Sequence, residues 1–256
     1  MNGIVPFFKK EICEMIRTKR LMVLGIVFTL LGIMAPALAK LTPKMYEMLS
    51  DDLEEQGVII KDVKVTALDS WLNFEKNLPM ALIIMLIIFC SIFTNEYSKG
   101  TLIPLITKGL SRTGMVLAKV TVMMLTWTAG LWLCFGITCF YTDFYWDNST
   151  VSGIAFSTFC WWLFGVFMIC TETFFSSFAS SSTQVLAGTG AVYFILMLAG
   201  AYKKLSQLLP VRLTDSTSLY KSSLSKSDYF TAIIITASLS VVLILSALIK
   251  TGKRSI

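Results

Sequence analysis

The chain has 256 residues, 55% of them hydrophobic and 15% charged, against roughly 45–50% and about 25% in an ordinary globular domain, which excludes a soluble fold. It contains no histidine, so Ser-His-Asp and Cys-His pairs, the HExxH zinc helix and imidazole-ligated metal or haem are excluded as well. A net charge of +6, from 22 Lys and Arg against 16 Asp and Glu, suits anionic lipid headgroups; no nucleic-acid module is recognisable and no nucleic-acid partner is expected.

Residues 4–20 read as a helix lying in the membrane interface. At about 100° per residue, Ile4, Val5, Phe8, Ile12, Met15 and Ile16 share an apolar arc, with Lys9, Lys10, Cys13, Glu14 and Arg17 opposite. Pro6 suits its first turn. Phe8, Ile12, Met15, Ile16 and Arg17 would anchor it through acyl chains and headgroups. The alternative is a charged lead-in to the first span with no mechanical role.

Six apolar stretches follow, at 21–39, 79–95, 115–140, 153–178, 185–202 and 229–249. Each is long enough to cross roughly 30 Å of hydrocarbon, which gives an all-α polytopic membrane fold. The third and fourth exceed that need and predict tilt or protrusion. Ala37-Leu38-Ala39 resembles a signal-cleavage site, but the apolar run before it is long for a signal sequence. The chain thus divides into an interface helix (1–20), a six-span domain (21–249) and a basic tail (250–256). Within the domain lie outer segments at 40–78 and 203–228 and a cytoplasmic loop at 96–114.

An even number of crossings puts both termini on one side. Lys9, Lys10, Arg17, Lys19 and Arg20 before the first span, and Lys250, Lys253 and Arg254 after the last, assign that side to the cytoplasm of a cell membrane. Lys99, Lys108 and Arg112 agree, whereas Lys203, Lys204, Arg212, Lys221 and Lys226 dissent from the predicted outside. Tyr141, Phe144, Tyr145 and Trp146, with Tyr229 and Phe230, fit interfacial belts. Of the six cysteines only Cys13 lies outside an apolar run, so no disulfide framework is expected.

The loop at 95–112, NEYSKGTLIPLITKGLSR, keeps Leu102, Ile103, Leu105, Ile106 and Leu110 where water favours polar residues. Either a partner surface covers them or they dip into lipid. Glu96 and Lys99 flank Gly100, which frees the backbone to turn, and Thr101 is placed to cap a short helix. Glu172, in the inner half of the fourth span, stands out among the acids. It either lines a pathway or holds a solvated or hydrogen-bonded structural role among Thr171, Thr173, Ser176 and Ser177. Ala187, Gly188, Gly190, Ala191, Ala199, Gly200 and Ala201 permit close helix approach, within the chain or between subunits. Asn148-Ser149-Thr150 matches a glycosylation sequon. The outer segments either gate exit and contact cargo or serve as solvated caps.

The basic N-terminal helix FFKKEICEMIRTKR, the six spans, E-x-x-x-G-T at Glu96, Gly100 and Thr101, and T-K-x-L-S-R at Thr107, Lys108, Leu110, Ser111 and Arg112 together resemble permease subunits of type-2 ABC exporters. Residues 66–78, TALDSWLNFEKNL, look like the run before the second span in bacterial members. The resemblance spans nearly the whole chain; it departs at Gly109, where members often have proline. It implies that Glu96, Lys99, Gly100, Thr101, Leu102, Leu105 and Arg112 belong to a coupling helix docked on a separate ATP-binding subunit. It also implies a second permease, identical or sibling, and a hydrophobic or amphipathic cargo such as a peptide, antibiotic or lipid. ATP and Mg would sit in the partner. Gly109 and Gly114 have the first spacing of a phosphate loop, but Met115 and Val116 follow where Lys and Ser or Thr are needed, so no cofactor site and no enzyme activity is expected in this chain. A self-sufficient secondary transporter or channel would need several charges deep in the spans, and an intramembrane enzyme clustered acids, histidines or a Ser-Lys dyad.

Overall fold

The computed structural model describes residues 4–54, 64–92 and 111–253. Among these the chain is helical without strands: α1 (Ile4–Arg17), α2 (Arg20–Glu54), α3 (Ala67–Phe89), α4 (Arg112–Tyr145), α5 (Ile154–Ser176), α6 (Ser182–Gly200) and α7 (Phe230–Lys253), with short helical turns between the last two. Helices α2 to α7 are each long and apolar enough to cross a membrane.

The first helix stops because Lys19 takes a left-handed backbone (φ 57°) while its N–H bonds the Ile16 carbonyl at 3.0 Å and the Thr18 hydroxyl bonds the Glu14 carbonyl at 2.7 Å. The helix predicted to run to residue 20 therefore ends at Arg17 and turns into α2. That helix continues past the predicted outer end of the first span, so residues 40–54 are its extension. Pro36 lies inside it and cannot donate to the Gly32 carbonyl four residues back. The Thr138 hydroxyl of α4 takes that carbonyl instead, at 3.0 Å. The approach is close: a Cβ at Gly32 would stand 2.9 Å from the Cys134 carbonyl oxygen.

The third helix begins at Ala67, well before the predicted start at Pro79. Asp69, Asn73, Glu75, Lys76 and Asn77 lower its hydropathy, yet most find partners. The Asp69 carboxylate accepts the Thr66 N–H (2.8 Å), Asn73 donates to the Ala35 carbonyl (3.4 Å) and Asn77 to that of Leu31 (3.2 Å). Trp71, Phe74, Leu78, Leu82 and Met85 recur at helical spacing and are all buried.

Helix α5 is the centre of the bundle, with 72% of its most apolar stretch buried, against 17% for α6 and 22% for the last span. The two peripheral helices leave wide apolar faces exposed. Gly165 of α5 makes room for a tryptophan of α4: a Cβ there would fall 2.2 Å from the Trp127 ring, whose Nε1 donates to the Trp162 carbonyl at 3.0 Å. The small residues of α6 divide their work. A Cβ at Gly188 would strike Phe175 and one at Gly200 would crowd Val211, both within the chain, whereas Gly190 faces open space.

Within the segment 203–228, residues 209–220 pack against the bundle, while 221–223 and 225–228 are exposed. Val211, Leu213, Leu219 and Tyr220 are buried. Glu75 accepts from the Ser216 N–H (3.1 Å) and the Thr217 hydroxyl (3.0 Å), Trp161 Nε1 donates to Ser216 Oγ (3.1 Å), and the Tyr229 hydroxyl donates to the Asp215 carbonyl (2.6 Å). The sequon asparagine is also engaged: Asn148 accepts from Trp71 Nε1 (2.9 Å) and donates to the Cys139 carbonyl (3.0 Å). All six cysteines are free thiols.

Candidate coupling junction

The end of the bundle that carries α1 gathers the charged groups an apolar interior would exclude. Along α1, Phe7, Glu11 and Met15 follow one another at four-residue spacing and are all buried, with Glu11 only 1% exposed. Helix α4 brings Lys119, also 1% exposed, against them. Its Nζ lies 2.9 Å from Glu11 Oε2 and donates to the Ile92 carbonyl at 3.0 Å. Lys10 holds the other carboxylate oxygen, Oε1, at 3.0 Å, and also pairs with Glu14 at 2.9 Å. Both lysines lie near the Phe7 ring, 5.1 Å for Lys10 and 5.6 Å for Lys119. The buried carboxylate thus has a cation on each oxygen, the condition under which such a pair is tolerated in a low-dielectric site.

The helix is therefore turned from its expected orientation. Of the predicted anchoring residues, Met15 packs inward, Phe8 and Ile12 sit half-buried on the flank, and Ile16 and Arg17 point outward with Val5. One apolar side faces the bundle, and the apolar residues Val5 and Ile16 are exposed on the other. Sequence reasoning missed both Glu11 and Lys119. Glu11 is masked by lysines at 9 and 10, and Lys119 by the hydrophobic residues on either side of it. The usable signal was a basic residue inside a span, which requires a counter-charge at matching depth.

The network grips the root of the second-to-third-span connection. Ile92 is the last described residue before it, buried, with its carbonyl bonded to Lys119. On the far side Ser111 caps α4 by accepting the Gly114 N–H at 3.1 Å, and Arg112 opens that helix, half-buried. Glu96, Lys99, Gly100, Thr101, Leu102 and Leu105 lie outside the described residues. Arg20, at the start of α2, donates to Ser91 Oγ at 3.2 Å, so three helices and the interface helix converge where the connection leaves the bundle.

Glu172 sits at the same end, 1% exposed, and neither carboxylate oxygen has a hydrogen-bond partner among the described residues. The hydroxyls expected to satisfy it bond their own helix: Thr171 to Phe167 (2.9 Å), Thr173 to Ile169 (2.8 Å), Ser176 to Thr173 (2.6 Å) and Ser177 to Phe174 (2.7 Å). These four hydroxyls are therefore not the partners of the Glu172 carboxylate. Among the described residues no three His, Cys, Asp or Glu side chains converge as metal ligands.

The family model described as ABC-2 family transporter protein matches residues 5–249. No curated protein and no solved structure matches the chain.

Proposed function

The chain belongs to the ABC-2 family of transporter proteins, multi-pass membrane components that take part in transport and are not themselves catalytic, and on that premise we propose that it is the six-span permease subunit of an ATP-driven exporter. An ATP-binding subunit supplies the energy. Two permeases, identical or sibling, assemble with two such ATPases, both termini of each permease facing the cytoplasm. The cargo is hydrophobic or amphipathic and moves by alternating access.

One observation carries this reading: the buried Lys119 joins α1, α4 and the Ile92 carbonyl at the root of the connection that includes Glu96 to Arg112. Force delivered to that loop by an ATPase reaches the bundle through a desolvated ion pair, which resists sliding because separation strands a charge in a low-dielectric site. Leu102 and Leu105 supply the apolar surface for docking, while Glu96, Lys99 and Arg112 flank it with charge.

Co-purification tests the reading. ATP-hydrolysing activity should co-elute with the tagged chain and be lost from Gly100→Pro and from Leu102→Asp/Leu105→Asp. Retention of full activity by inserted, folded variants would remove the loop from the coupling path.

A further inference from the structure

At the opposite end of the bundle from α1, helices α2 and α4 separate above their close contact at Gly32 and enclose a groove of about 380 Å³. Its chemistry changes along its length. Ile33, Ala37 and Leu41 supply an apolar floor; Lys40, Lys44, Tyr141 and Tyr145 supply cations and phenols. From Ile33 to Lys44 the helix climbs roughly 16 Å, comparable to one leaflet's depth of hydrocarbon. Lys40 Nζ rests 3.6 Å from the centre of the Tyr145 ring, a contact that orients the ammonium while leaving its protons for a further acceptor. Among the described residues no carboxylate pairs with either lysine. The tyrosines are 37% and 39% exposed and stand in the aromatic stretch that ends α4, the level at which headgroups begin.

We propose that this groove binds an anionic phospholipid, its phosphate between Lys40 and Lys44 and an acyl chain over Ile33, Ala37 and Leu41. Two cations with no carboxylate partner among the described residues, set beside an apolar floor, match an amphipathic anion, whereas a small soluble anion would leave the floor unused. The site requires only that α2 and α4 span the bilayer, so it stands or falls independently of ATPase coupling.

The test is native mass spectrometry of the detergent-purified chain titrated with phosphatidylglycerol or phosphatidylethanolamine. Phosphatidylglycerol should be retained in preference. Lys40→Gln/Lys44→Gln should weaken its retention roughly thirtyfold, Lys40→Arg/Lys44→Arg should keep it, and Tyr145→Leu should weaken it about threefold by releasing Lys40. Equal retention of the two lipids, or of phosphatidylglycerol by wild type and the Gln pair, would overturn the proposal. So would displacement of the lipid by millimolar inorganic phosphate, since that would mark an anion site with no use for the acyl chain.

Discussion

Replacing Lys119 by methionine keeps most of the side chain's volume and removes its charge. Glu11 Oε2 then loses the donor that lies 2.9 Å away, and the Ile92 carbonyl loses its bond at 3.0 Å. Stranding one partner of a buried ion pair costs about 3–5 kcal/mol. Because Lys10 still holds Oε1 at 3.0 Å, the lower end of that range is expected, about 3 kcal/mol. Glu11→Met should cost a similar amount, because it removes the carboxylate that Lys119 meets at 2.9 Å inside the bundle. The double variant, with both charges replaced by apolar volume, should return to within about 1 kcal/mol of wild type. Unfolding in mixed SDS and dodecylmaltoside micelles, followed by tryptophan fluorescence, gives the four corners of the cycle. A coupling energy of at least about 2 kcal/mol is expected. Single variants within about 0.5 kcal/mol of wild type, or strictly additive effects, would show that the pair is solvated and cannot transmit force.

Three further substitutions probe separate features. Glu172→Met should raise stability by about 1–3 kcal/mol in the same unfolding assay, because among the described residues neither oxygen of the native carboxyl has a partner to lose; destabilisation would reveal a compensating contact. Gly165→Ala should lower stability by about 1–3 kcal/mol, since its Cβ would fall 2.2 Å from the Trp127 ring and force that residue off its bond to the Trp162 carbonyl. Lys19→Gly should stabilise by about 1 kcal/mol by relieving a left-handed non-glycine residue (φ 57°) at the break between α1 and α2, readable as a rise in unfolding midpoint.

The six spans were legible because apolar length decides membrane insertion, and every predicted stretch overlaps a helix long enough to cross. Helix ends were less so. Hydropathy placed the second span's start at Pro79 since Asn73, Glu75 and Asn77 read as outside residues, yet each is satisfied by a carbonyl, amide or hydroxyl of a neighbouring segment. Such pairing depends on tertiary contacts that no local pattern encodes. The junction was half visible. The amphipathic character of α1 could be read from its periodicity, but which stripe faced inward depended on Lys119, 108 residues away from Glu11 in the chain. Glu172 was identified as unusual from its span, while its lack of a partner among the described residues followed only once the nearby hydroxyls were seen to bond their own helix.

The most direct measurement is transport of a labelled amphipathic peptide into proteoliposomes that hold the purified chain alone, or the chain together with its co-purified ATP-hydrolysing subunit. Accumulation that requires both proteins and hydrolysable ATP is the expected result. Accumulation by the chain alone, driven by an ion gradient and indifferent to ATP, would contradict a permease powered through its cytoplasmic loop.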